Sequence, residues 1–217
     1  MTNLHALIIG ATGATGTPLT EQLLADERFN KVTVFVRRAI EPTHPKLTVH
    51  IVDFDTPDTW ADKVRGDVLF GCLGTTLKQA GSKSKQYKID HDYTVNIAKI
   101  AHQNGVGQMV AISSDGADPN SPLFYYRLKG DMERSLSAIG FDKLTLMRPP
   151  LLKRQNSDRM GERLGEKVLT VANRFGLLTS AKPMPTDTLA RAMRQAVFAD
   201  KMGVVDKGEI WGLAQIS

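Results

Sequence analysis

The sequence predicts an α/β fold: a doubly wound parallel sheet followed by a small C-terminal lid region. Three observations carry this reading. Short β-rich apolar runs alternate with longer stretches of helical period. The first run, LHALIIG, leads straight into the glycine-spaced GATGATG. Beyond Pro150 the alternation gives way to helical stretches punctuated by proline. A chain of 217 residues can bury a real core, so residues 1–217 are expected to form a single domain, with 151–217 covering its site.

Strands are expected at Leu4–Ile9, Lys31–Val36, Leu47–Val52, Val68–Leu73, Gln108–Ser113 and Lys143–Met147, each a short apolar run. Helices are expected at Thr17–Ala25, Tyr87–Asn104 and Pro122–Ile139. The last of these is signposted by Ser121 as N-cap, Pro122 at the first helical position and Gly140 just past the end. Further on, the pattern gives a helix near Arg159–Asn173, the link KPMPTD, a helix near Thr186–Ala199 and a short strand around Glu209–Gly212.

Composition narrows the function classes. The formal charge of +5 comes from 28 basic and 23 acidic residues spread along the chain. It suits anionic ligands, and no aromatic platform or helix-turn-helix pattern points to nucleic acid. The lysine-rich KQAGSKSKQYK (Lys78–Lys88) reads as a solvated mobile loop. Cys72 is the single cysteine, which excludes an intramolecular disulfide. The five histidines show no ligand spacing, so no metal is expected. No basic-then-apolar leader precedes the first strand and no apolar run has the length of a membrane span, so a cytoplasmic protein without a membrane partner is expected.

Two constellations carry chemistry. In GATGATG, Gly10, Gly13 and Gly16 enclose Thr12, Ala14 and Thr15 between a strand and a helix. Glycine there permits a tight turn and close approach of backbone amides to a pyrophosphate. The spacing is G-x-x-G-x-x-G rather than the usual G-x-G-x-x-G. The second strand ends in Arg37 and Arg38, where a protein preferring NAD carries an acid; guanidinium forks favour the 2′-phosphate of NADP. Asp53 could accept from the adenine amino group or cap a helix, and Leu73 and Gly74 would let backbone pass close to adenosine. Cys72 reads as core rather than nucleophile.

The second constellation is Tyr125 and Lys129, four apart and so on one helix face, downstream of Ser113 and Ser114. A carbonyl that accepts hydride gains negative charge and needs a proton donor. Tyr125 supplies one, an adjacent ammonium favours the phenolate it becomes, and Lys129 can also hold the nicotinamide ribose. Ser114, or else Ser113, would orient the substrate oxygen, and Asn96 is a candidate to fix a relaying water. The catalytic set is thus Ser114, Tyr125 and Lys129, and the cofactor is NADP.

GATGATG, Arg37 with Arg38, VDFD, GCLGTT, DHDY (Asp90–Tyr93), SSDGAD, Tyr125 to Lys129 with the glycine that follows, and MRPPLL together resemble an atypical short-chain dehydrogenase/reductase. The likeness runs over nearly the whole chain, in the branch of the HIV Tat-interacting protein oxidoreductase and its bacterial relatives. It implies a Rossmann sheet, NADP(H) held through the glycine loop and paired arginines, and Tyr125 as proton donor or acceptor. It also implies that the segment after MRPP sets Leu151 against the nicotinamide and Arg159 near a phosphate, although MRPP replaces the more usual Arg-Pro-Gly. A homodimer is compatible with it. The expected activity is reduction of a small carbonyl compound or oxidation of the alcohol. Two alternatives stand beside it: a non-catalytic NADP(H)-binding redox sensor acting through a protein partner, and a nucleotide-sugar epimerase.

Overall fold

The computed structural model describes residues 3–41, 43–153 and 183–216. In chain order the elements are β1 Leu4–Ile9, α1 Gly16–Ala25, β2 Phe29–Val36, β3 Leu47–Ile51, β4 Val68–Gly71, α2 Leu77–Ala80, α3 Lys83–Tyr87, α4 Tyr93–Gln103, β5 Gln108–Ile112, α5 Phe124–Ser137, β6 Lys143–Met147, β7 Leu152–Lys153, β8 Met184–Pro185, α6 Thr186–Ala196, β9 Gly203–Val205 and α7 Lys207–Leu213. A 3₁₀ segment, Pro57–Lys63, precedes β4, and a π-helical turn, Lys88–Asp92, joins α3 to α4.

Seven parallel strands form one sheet in the order β3-β2-β1-β4-β5-β6-β9, and β7 pairs with β8 apart from it. Alternate residues of β1 face opposite layers, as a strand's period of two requires. Ala6 and Ile8 pack with Leu19 and Leu23 of α1 and Leu189 and Met193 of α6. Leu7 and Ile9 pack with Ile97 and Ala98 of α4 and Met132 and Leu136 of α5. Such strands are apolar throughout because both faces are covered.

Residues 183–216 are built into the domain: β9 extends the sheet beside β6, and α6 lies along α1. Gln22 donates to Asp187 Oδ1 at 2.9 Å, and Arg194 and Arg28 donate to Asp26 Oδ2 at 2.8 and 2.6 Å. The strand expected around Glu209–Gly212 is instead the helix α7, started by a capping box in which Asp206 accepts from the Glu209 amide and Glu209 accepts from the Asp206 amide. The helix expected at Arg159–Asn173 lies outside the described residues.

Two local readings also change. KQAGSKSKQYK is solvated but helical: Thr76 caps α2, Gly81 ends it with a φ of +81°, and Ser82 caps α3. Helix α5 starts at Phe124, later than Pro122, because the Ser121 hydroxyl accepts from the Leu123 amide in a local turn and leaves Leu123 at the cap position. Gly140 stands just past the helix with a φ of +92°. Within α5, Gly130 has no room for a side chain, since a Cβ would overlap the backbone where Asp118 joins Pro119.

Two stability outcomes are expected. Gly130→Ala should cost about 2–3 kcal/mol of stability through overpacking, read as a lower urea midpoint. Burial pushes the Asp26 carboxyl up, but hydrogen bonds and attraction from Arg28, with attraction from Arg194, prevail and hold it below the ordinary carboxylate range. A depressed carboxylate stabilises the fold above its unfolded value, about 3.9, and that contribution disappears as pH falls through the lower folded value. Asp26→Asn should therefore cost about 3 kcal/mol at neutral pH, and denaturation below pH about 4 should show a shallower acid dependence than wild type.

Candidate functional site

Because the strands run in one direction, their C-terminal ends share an edge, and a crevice opens where connections leave β1 and β4 toward opposite faces. Gly10 leaves β1 with a φ of +81°, and a Cβ there would strike the Cys72 carbonyl at the end of β4. The Gly13 amide donates to the Gly10 carbonyl at 2.9 Å, and a Cβ on Gly16 would overlap that same carbonyl. The three glycines thus form a cradle that any side chain would fill. Thr15 is buried beneath it, while Thr12 and Ala14 are exposed at its rim. Helix α1 opens here without a side-chain cap and without an acid in its first turn, leaving its N-terminus suited to an anion. These residues fit a dinucleotide pyrophosphate.

Along the same edge, Arg37 and Arg38 follow β2 and are exposed, and neither is in an ion pair among the described residues. Asp53 uses Oδ1 to accept from the Asp55 amide at 2.9 Å, so it organises its own turn. Its carbonyl accepts from the Trp60 indole at 2.9 Å. Leu73 and Gly74 follow β4, and a Cβ on Gly74 would meet no protein atom within 4 Å. Cys72, directly before them, is partly buried, and burial pushes its thiol up to about 12.

The second group gathers at the end of β5. Tyr125 is 41% exposed on the first turn of α5, whereas Lys129, one turn on, is 2% exposed. The Lys129 ammonium donates to the Ile112 carbonyl at 3.3 Å, directly before the serine pair. Ser113 is buried and its hydroxyl has no partner among the described residues; Ser114 is more open, its hydroxyl donating to the Asp115 carbonyl at 3.1 Å. The loop after Ser114 is clamped along α5. Asp118 donates from its amide to the Tyr126 carbonyl at 3.1 Å, and Gly116, with a φ of +82°, lies under the Tyr126 ring. Arg148, after β6, forks onto Glu133 at 2.9 and 2.5 Å and ties the same helix to the sheet.

Some expected members lie elsewhere. Asn96 is exposed on the outer face of α4, in a groove with Phe54, His91 and Lys99, and its side is not the one that packs against the sheet. The relay expected of it has no support in that placement. Leu151 is 48% exposed after β6, and Arg159 lies outside the described residues. Sequence reasoning assigned no role to Asp90, 1% exposed on the π turn, or to Gln86, 3% exposed on α3. The motif DHDY contained the signal, an acid in a helix that otherwise alternates ordinary solvent and core positions.

With this geometry in hand, comparison with known proteins is informative. A family model described as NAD(P)H-binding matches residues 10–196. The chain is 36% identical to rat HTATIP2 over 216 residues, covering 95% of this chain and 86% of that protein. It is 38% identical to the mitochondrial protein FMP52 of Kluyveromyces lactis over 207 residues, covering 93% and 87%. To FMP52 of Eremothecium gossypii it is 39% identical over 151 residues, 69% of this chain and 66% of that one. Among solved structures, UDP-N-acetylglucosamine 4-epimerase from Methanobrevibacter ruminantium superposes with a TM-score of 0.70 at 16% identity, over 95% of this chain and 76% of that one. MoeE5 in complex with UDP-glucose and NAD gives a TM-score of 0.71 at 17% identity, over 93% and 75%. At these identities the structures share the fold.

The relatives overturn the expected cytoplasmic location, since the FMP52 proteins are named mitochondrial. A single cysteine excludes an intramolecular disulfide and does not distinguish one compartment from another. Among the described residues no helix is long and apolar enough to cross a membrane.

The thiol of Cys72 provides a direct check on the packing of the crevice. The thiolate is the reactive form, so native protein at pH 8 should react with a chromogenic disulfide more than about a hundredfold slower than urea-unfolded protein.

Proposed function

Since the chain belongs to the NAD(P)H-binding family, within the atypical short-chain dehydrogenase/reductase branch that includes HTATIP2, we propose that it is an NADP(H)-dependent oxidoreductase interconverting a small carbonyl compound and its alcohol. One observation carries this reading: a solvent-accessible phenol, Tyr125, one helical turn from a buried ammonium, Lys129, that is anchored at the end of the strand delivering Ser114.

A nicotinamide dinucleotide, when bound, supplies or takes the hydride. The Gly10–Gly16 turn and the N-terminus of α1 would hold its pyrophosphate, with Arg37 and Arg38 on a 2′-phosphate. In reduction, Tyr125 would give its proton to the substrate oxygen as that oxygen gains charge. Lys129 would stabilise the negative charge left on the phenol oxygen and donate to the nicotinamide ribose. Ser114, more open than the buried Ser113, would donate to the substrate oxygen and set its direction. In oxidation the same proton returns to Tyr125.

Tyr125→Phe should leave NADPH affinity within about twofold and lower kcat by about 10²–10⁴-fold, the usual worth of a positioned proton donor. The measurement is NADPH oxidation across a panel of aldehydes, ketones and quinones. Tight NADPH binding with no turnover that depends on Tyr125 would replace this reading with a non-catalytic redox sensor. Arg37→Ser and Arg38→Ser should each weaken NADPH by about tenfold or more, as for a lost charged hydrogen bond, while NADH affinity stays level. Equal losses for both nucleotides would remove the NADP preference.

A further inference from the structure

Asp90 is a buried carboxylate that the proposed chemistry leaves without a role. It lies on the π-helical turn Lys88–Asp92, between α3 and α4, and is 1% exposed. Widened turns of this kind displace side chains from the regular helical face and recur at functional sites. Here the turn packs against α5, the helix of Tyr125 and Lys129.

Asp90 Oδ1 accepts from the Thr75 amide at 2.8 Å, and the buried Gln86 donates from Nε2 to the Thr75 carbonyl at 3.0 Å. Two side chains one helical turn apart therefore hold both polar groups of Thr75, in the loop that carries Leu73 and Gly74. On the other side stands Lys129. The residue is 2% exposed, and among the described residues its ammonium makes one long hydrogen bond, to the Ile112 carbonyl. An ammonium taken out of water needs a counter-charge. Burial pushes the Asp90 carboxyl up, and the Lys129 charge and the Thr75 amide act against that rise. Asp90 and Lys129 are thus two buried charges on elements that pack together, with no direct ion pair between them among the described residues.

We infer that Asp90 is a positioning residue: its carboxylate compensates the charge of the Lys129 ammonium across the packed face while its hydrogen bond holds the Thr75 loop, so that the aim of the lysine and the path of the loop beside the nucleotide are set together. The inference rests on the proposal that Lys129 meets the bound nucleotide.

Asp90→Asn separates the charge from the hydrogen bond, because the amide oxygen can still accept from Thr75. NADPH affinity is read by fluorescence titration in wild type, Asp90→Asn, Lys129→Met and the double variant, a measurement that needs no substrate. Each single change should weaken NADPH by about tenfold, and the double variant should match Lys129→Met within about twofold, as for one group that acts through the other. Wild-type affinity in Asp90→Asn, or the same loss on top of Lys129→Met, would overturn the inference while leaving the proposed role of Lys129 intact. Wild-type affinity in Lys129→Met would overturn that role and the inference with it. Should Asp90→Asn fail to fold, adding Lys129→Met should restore folded protein by removing the uncompensated ammonium, and failure to restore it would refute the coupling.

Discussion

The turn between β1 and α1 lies so close to the end of β4 that no side chain fits between them. Gly10 adopts a left-handed conformation against the Cys72 carbonyl, and Gly16 sits on the carbonyl of Gly10. This contact brings the N-terminus of α1 down to the sheet edge at the point where connections diverge. The rest of the edge is registered to it by parallel pairing, Ile9 beside Gly71 and Gly71 beside Ala111. Arg37, Gly74 and Ser114 thereby arrive at one rim from three different strands.

On that scaffold the site is divided between groups open to solvent and groups removed from it. Tyr125, Arg37 and Arg38 are accessible, as groups must be that meet ligands. Lys129, Asp90 and Gln86 are buried behind them, and the Glu133–Arg148 pair holds α5 against the sheet. Charges in such places cost solvation and persist only where partners compensate. The site thus rests on a polar layer inside the domain, one residue deep, that fixes where the accessible groups stand.

Much of this was legible in the sequence. The first six strands were found because they are short apolar runs, nearly continuous where both faces are covered as in β1 and β4, and only their ends moved, β2 starting at Phe29 rather than Lys31. The glycine turn was legible because so few conformations join a strand to a helix that tightly. The seventh strand was not: Gly203–Val205 is three residues and exists through its pairing with β6. The helix α7 had a local signal in Asp206 and Glu209, overshadowed by the apolar residues that follow. Asn96 was named and Asp90 passed over because no sequence signal marks the π turn Lys88–Asp92, whose extra residue rotates every later side chain about the axis.

The lateness of β9 in the chain bears on how the protein is made. Emerging from the ribosome, the first six strands can assemble in order, but β6 keeps an unpaired edge until Gly203–Val205 has been synthesised. The apolar side of α1 that receives Leu189 and Met193 waits almost as long. A nascent chain halted after β6 would present both a bare strand edge and an uncovered helix layer, surfaces that invite self-association. Synthesis of residues 183–216 supplies both the partner for β6 and the cover for α1.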